Sequence, residues 1–316
     1  MQRNLSIDIL KCALAIMIIA IHTLFLNDLS RQWAYLTTNG LFRIAVPIFF
    51  LINGYFFTGF LQAPGAWLKH GLILYSVWML IYSYYWFLPT GIDFSSIVQT
   101  AKALVIGYEH LWYIASMLGA AVMLYYLRNL SSRQLLIVSL SLYVLGVVIQ
   151  YLGNYHFFKD PLLDRLCNAL WLYRSTFLFA FPFFCIGYLI NKHQLNTKIN
   201  SKVAIIGLGI GLLMVIAESY LNYHLTDNPE GFDLLFTLLL TCPLIFMFFL
   251  NLAIKGNSKN LAVYSTAIYL VHFLVIAQLK SFTQFHNSML TLATIVVSIV
   301  MASMLVVINR WVKYLL

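Results

Sequence analysis

A chain of 316 residues that is 62% hydrophobic and only 9% charged, with a mean hydropathy of +0.85, holds more apolar surface than one water-soluble core can bury. Soluble domains carry about 25% charged residues, so the composition excludes a soluble globular enzyme and implies a chain that crosses a membrane many times. The net charge of +9 comes from scattered Lys and Arg rather than a basic run, which argues against a nucleic-acid partner and reports topology instead.

The first apolar window covers 7–26 and contains LKCALAIMIIAIH at 10–22. Arg3 followed by an apolar run is the opening of a signal peptide. The run continues through Leu26, however, and HTLFLND offers no small-residue cleavage site, so a retained helix is expected. Eleven helical steps from Lys11 to His22, at about 100° each, return to nearly the same face while advancing about 16 Å, roughly half a bilayer core. Lys11 and His22 therefore share one stripe.

Further windows follow at 41–60, 70–88, 110–127, 134–152, 174–190, 203–221, 233–251, 261–279 and 288–309, each near the length a helix needs to cross. The whole chain, 1–316, reads as a single all-α polytopic membrane domain of about ten spans, with short connections and no internal repeat. Pro47, Pro182 and Pro243 fall inside windows, where neighbours must satisfy the carbonyls that a kink frees. Cys12, Cys185 and Cys242 lie in apolar stretches and Cys167 in a polar connection. Lacking C-x-x-C or zinc spacing, they point to no metal.

Lys and Arg are unevenly shared between the two sides. The odd-numbered connections hold five: Arg31, Lys102, Lys159, Arg165 and Lys280. The termini and even-numbered connections hold twelve, with Arg43 and Arg174 set aside just inside helix starts. The positive-inside rule then places both termini in the cytoplasm, which an even number of spans permits.

A charge at mid-helix costs about 2.5–3.5 kcal/mol on insertion scales, so each one present needs a reason. With the first span running outward, Asp8 and Lys11 fall in its inner turns. His22, Arg43, Glu109, His110, Arg174, Glu218 and His272 all fall near the outer face, from six different helices. Taken singly, each has a plainer role. A histidine near a helix end donates to a backbone carbonyl, Lys11 snorkels to the surface, and Arg43 and Arg174 anchor at the interface. Shared stripe and shared depth favour a common site.

These same residues lie in stretches that resemble the acyltransferase-3 family of bacterial integral-membrane acyltransferases along nearly the full length. The strongest element is a basic residue, ten residues, then His: Lys11-x10-His22 within RNLSIDILKCALAIMIIAIH. FRIAVPIFFLINGYFF at 42–57, EHLWYIASML at 109–118, RSTFLFAFPFFCIGYLI at 174–190 and STAIYLVHFLV at 265–275 follow in order. Many members carry Arg where this chain has Lys11, which keeps the charge but not the bidentate fork. The appended extracytoplasmic hydrolase-like domain of some members is not expected here.

The resemblance implies O-acyl transfer, usually acetyl, from cytoplasmic acetyl-CoA to a sugar hydroxyl of an envelope glycan or lipid-linked sugar, in the bacterial inner membrane. It implies His22 as the catalytic histidine and Lys11 in the donor site. Given the donor that the resemblance implies, Lys11 is expected to meet the coenzyme A phosphates, with Asn53 serving an amide of the pantetheine arm or simply packing between helices. His22 is expected as general base, and Glu109 as the carboxylate that orients it. Arg43 and Arg174 are expected at the oxyanion or at an acidic acceptor, with His110 and His272 in the acceptor site. The competing class is a carrier for a glycan or small polar solute, against which stands the lack of related halves.

Overall fold

A computed structural model describes residues 3–87, 94–226, 231–252, 254–256 and 260–316. The described residues are mostly helical. In order it forms α1 (Leu5–His22), α2 (Arg31–Thr38), α3 (Ala45–Phe57), α4 (Gly65–Ile81), α5 (Ser83–Trp86), α6 (Phe94–Ile106), α7 (Trp112–Leu127) and α8 (Ser132–Asn154). There follow α9 (Pro161–Cys167), α10 (Leu170–Tyr173), α11 (Phe181–His193), α12 (Leu195–Lys198), α13 (Ser201–Leu225), α14 (Leu238–Leu252), α15 (Asn260–Phe282) and α16 (Asn287–Ile308). A two-residue antiparallel ladder pairs β1 (Arg3–Asn4) with β2 (Lys255–Gly256).

Among the described residues, seven helical stretches are long and apolar enough to cross a membrane: Leu5–His22, Arg31–Phe60, Glu109–Leu127, Ser132–Asn154, Lys202–Leu225, Asn260–Phe282 and Asn287–Ile308. The chain is thus an all-α, multi-pass membrane protein. The other three expected windows fall on shorter helices. α4 has 17 residues and α14 has 15, while α11 has 13 and is preceded by a π turn at Thr176–Ala180. The window at 233–251 begins in non-helical chain, because its helix starts only at Leu238.

Four of the connections between the expected windows contain helices, and two of these carry local start signals that an apolar scan passes over. Ser30 accepts from the amide of Trp33 at the head of α2. Asp160 caps α9, with Pro161 in the first position, where its missing N–H costs nothing. The same reasoning corrects two of the three prolines. Pro182 sits in the first turn of α11 and Pro47 near the start of α3, while Pro243 alone of the three lies well inside its helix.

The core forms where α3 crosses α11. Phe50, Phe57, Phe181, Phe183 and Phe184 are fully buried around that crossing. A Cβ on Gly54 would lie 1.8 Å from the Phe184 carbonyl oxygen, and one on Gly187 would lie 2.1 Å from that of Leu51. Two glycines, one from each helix, therefore let the backbones touch, the packing device of helices in lipid. α1 lies against α3, α14, α15 and α16, which holds its Lys11–His22 stripe inside the bundle. Its first turn is tied down by Asn4, whose side chain accepts from Ser6 N and donates to Leu250 O. By contrast α13 and α16 expose Val203, Ile206, Leu213, Val296 and Met304, the apolar face a lipid solvent would cover. Outside the spans, Asp28 accepts from the amide and hydroxyl of Ser288 at the start of α16, and the hydroxyl bond holds its carboxyl below the usual range.

Candidate active site

His22 is the last residue of α1, and it does not stand alone. Its ring centre lies 5.4 Å from that of His272 and 5.9 Å from that of Phe273, both on α15. His272 also has His110 at 4.8 Å, whose ring stacks on Phe273 at 5.7 Å. Three histidines from three elements thus form a row. His110 is delivered by a tight turn, Glu109–Leu111, entered through Gly107 at φ 98° and Glu109 at φ 43°. A Cβ on Gly107 would meet the Trp112 amide nitrogen at 2.6 Å, so the turn requires glycine there. The Tyr269 hydroxyl donates to the His110 carbonyl at 2.5 Å and pins the turn to α15.

Beside His22 is a buried ionic cluster centred on Asp233. Arg174 donates through Nε to Oδ2 at 2.5 Å and through Nη2 to Oδ1 at 3.0 Å, the bidentate fork of a strong pair. Arg43 donates through Nη1 to the same Oδ1 and through Nη2 to Asn39, while its buried Nε has no partner. Two guanidinium groups and one carboxylate leave the cluster one positive charge in excess.

Asp233 rides on a non-helical stretch, residues 231–237, and side chains of α8 and α13 supply the backbone partners that a helix would have provided. Gln150 accepts from the amides of Asp233 and Leu234 at 3.0 and 3.1 Å and donates to the Leu234 carbonyl at 3.0 Å. Tyr143 donates to Leu235 O, and Asn154 donates to Gly231 O. Glu218 accepts from the amides of Phe236 and Thr237 and from the Tyr151 hydroxyl. Irregular backbone survives at membrane depth only where it is satisfied in this way.

These groups meet around cavities. A pocket of about 60 Å³ is lined by His22, Phe42, Arg43, Trp112, Arg174 and Asp233. Trp112 and Arg174 also line an open groove of about 930 Å³, together with Lys102, Glu109, Arg165 and Trp171. At the other end of the bundle, Lys11, Asn53, His70, Phe49, Tyr113 and Tyr269 line a cavity of about 260 Å³. Lys11 and Asn53 border a further groove of about 480 Å³ with Asn4, Asp8 and Phe56. The wall between the two ends is thin: Tyr269 lines the Lys11 cavity while its ring lies 5.8 Å from that of His272. Asn53 donates to the Tyr113 hydroxyl at 2.6 Å and to Phe49 O at 2.9 Å.

The residues singled out from the sequence sort into three groups. His22, Arg43 and Arg174 line one pocket, and His110 and His272 adjoin it as the histidine row. Lys11 and Asn53 share the opposite cavity. Glu109 lines the open groove beside Arg174 and is not among the residues that line the His22 pocket; the carboxylate there is Asp233. Glu218 stands apart as an anchor for 231–237. Asp233 and Gln150 were the omissions. Asp233, in GFDLLF, carried the same signal as the others, an acid beside an apolar run, but stood at the edge of a window.

A nitrogen base next to two arginines in a small pocket suits the attack of a hydroxyl on a carbonyl. The base takes the proton, and fixed positive charge meets the developing oxyanion.

Comparison with known proteins agrees on the family and adds an unexpected kind of relative. Residues 4–308 match the acyltransferase-3 family model, described as an acyltransferase domain. An amino-acid racemase of Enterococcus faecalis is 27% identical over 98% of this chain and 47% of its own length. A serine/alanine racemase of Enterococcus gallinarum is 26% identical over 87% of this chain and 41% of its own. The chain therefore spans less than half the length of these relatives. No solved structure matches it. The family match runs from the first turn of α1 to the end of α16 and takes in both cavities and the histidine row, so the chain belongs to the acyltransferase-3 family of membrane acyltransferases.

Proposed function

We propose that this protein is a membrane O-acyltransferase that moves an acyl group, most naturally acetyl, from acyl-CoA at the Lys11 end of the bundle to a sugar hydroxyl at the His22 end. The observation that carries this reading is the position of His22. It sits in a pocket that shares Trp112 and Arg174 with the open groove, one aromatic layer from the cavity that holds Lys11 and Asn53. Lys11 meets the anionic phosphates of the donor, and the pantetheine arm runs along the α1 stripe past Asn53. Tyr113 and Tyr269 must part to admit the thioester.

His22 then takes the proton of the acceptor hydroxyl as its oxygen attacks the thioester carbonyl. Arg43 and Arg174 face the oxyanion of the tetrahedral intermediate. The C–S bond breaks, and the proton passes from His22 to the departing sulfur. Trp112 and Trp171 offer flat faces to a sugar in the groove, and Glu109 offers an acceptor for its hydroxyls. In this reading the chain makes ten passes through a bacterial inner membrane with both termini in the cytoplasm, in keeping with its Lys and Arg bias.

The test is acyl transfer in liposomes with radiolabelled acetyl-CoA and an extract of envelope glycans. Wild type should label glycan, and His22→Ala should lower the rate by about 100-fold or more, the usual worth of a general base. Equal labelling by both proteins overturns the assignment.

A second reading, carriage of a small polar solute, is favoured by one observation: the curated relatives are named for chemistry on amino acids. Uptake of serine or alanine into vesicles without any acyl transfer would establish it instead.

A further inference from the structure

The histidine row has a hydrogen-bond account that does not close. Nδ1 of His272 lies 2.6 Å from the carbonyl oxygen of Tyr269. A carbonyl only accepts, so Nδ1 must carry the proton, and in the neutral ring Nε2 is then a bare lone pair. That Nε2 is buried and has no partner. A buried acceptor without a donor is rare enough in folded proteins to require an explanation.

The neighbouring elements narrow the explanation. His272 is enclosed by His22 on α1, by His110 on its turn, and by Tyr269 of its own helix. Two imidazoles joined by an N–H···N bond of ordinary length have ring centres roughly 5 Å apart. His22 stands at 5.4 Å, within a small adjustment of that distance, and it lines the pocket where a hydroxyl would be activated. His110 stands at 4.8 Å, and both of its nitrogens are buried and unpartnered.

Building on the acyl-transfer reading, the geometry points to His272 as the positioning residue for His22. Its Nε2 accepts the far N–H of His22, fixes that tautomer, and leaves the other nitrogen of His22 as the lone pair that faces the pocket. The chain from the Tyr269 carbonyl through His272 to His22 fills the place that a carboxylate occupies in a serine-hydrolase triad, with a neutral ring instead of an anion. When His22 takes the acceptor proton, the far N–H shortens towards His272 and positive charge spreads over two rings. Since no proton leaves the pair, the balance is unchanged: the hydroxyl proton still ends on the coenzyme A sulfur. His110, with both nitrogens buried, packs against His272 as well.

Two near-isosteric variants separate this role from a structural one. His272→Asn keeps a donor to the Tyr269 carbonyl but has nothing at the Nε2 position. His272→Gln places an amide oxygen where Nε2 was and so keeps an acceptor for His22. With the liposome assay and radiolabelled acetyl-CoA, His272→Asn should lose about 100-fold or more in kcat with the KM for acetyl-CoA unchanged, and His272→Gln should recover at least tenfold of that. Both proteins should elute as folded, monodisperse species. A merely structural histidine gives the opposite order, with Asn at least as active as Gln, and that result overturns the assignment while leaving acyl transfer intact. Transfer by wild type that is indifferent to His22→Ala overturns the acyl-transfer scheme itself, and this inference with it.

Discussion

Asp233 shows at the scale of single residues how much one carboxylate organises. It accepts from Arg43 and Arg174, whose side chains are only 13% and 30% exposed, and is itself 7% exposed. Removing its charge leaves two partly buried guanidinium groups facing each other; breaking a fully buried pair costs about 3–5 kcal/mol, an upper bound for this one. Asp233→Asn should therefore lower the unfolding temperature in detergent well below that of wild type. His22→Ala, which removes no charge partner, should stay close to wild type. Equal unfolding temperatures for wild type and Asp233→Asn would mean that the arginines find other partners. The same reasoning explains what was legible beforehand. Lys11, His22, Arg43 and Arg174 could be read from the sequence because ionisable groups in an apolar run are costly and so conspicuous. Gln150 could not. An amide in a helix has no visible purpose until the non-helical backbone of 231–237 lies against it.

The α3–α11 crossing sets the distances on which the site depends. Gly54 and Gly187 bring the two backbones into contact, and α3 carries Asn53 and Phe49 towards the Lys11 cavity, while Arg174 lies just before α11. No side chain can be added at Gly187 without moving the Leu51 backbone, so the cost exceeds the 1–3 kcal/mol or so of ordinary overpacking. Gly187→Leu should yield little folded protein on size-exclusion chromatography. Gly59→Ala, with nothing within 4 Å of the added Cβ, should behave as wild type. The sequence announced most helices by length and oil, but it understated two kinds of element. Helices α2 and α9 were hidden because a scan for membrane-length windows ignores short capped turns. The π turn at Thr176–Ala180 and the late start of α14 were hidden because both depend on what packs alongside.

For the whole molecule, two ends of one bundle bear different chemistry: a basic cavity at Lys11, and a histidine row with its ionic cluster at His22. Their orientation in the membrane rests on the Lys and Arg bias and is open to direct measurement. In a background with Cys12, Cys167, Cys185 and Cys242 replaced by Ala, cysteine at the exposed Trp33, beyond the His22 end, should react with an impermeant maleimide in intact cells. Cysteine at the exposed Arg133, beyond the Lys11 end, should react only after permeabilisation. The reverse pattern would invert the proposed direction of transfer.

Composition and periodicity alone determined that this is an all-helical membrane chain, because apolar surface on this scale has no other solvent and helices satisfy their own backbone in lipid. The sequence also determined that Lys11 and His22 share a face of α1, since helical geometry is local. Only the tertiary structure decided which charges meet. Asp233 rather than Glu109 is the carboxylate that lines the His22 pocket, and His272 and Phe273 adjoin His22 from α15, because those neighbours come from segments far apart in the chain and are set by how closely the helices pack.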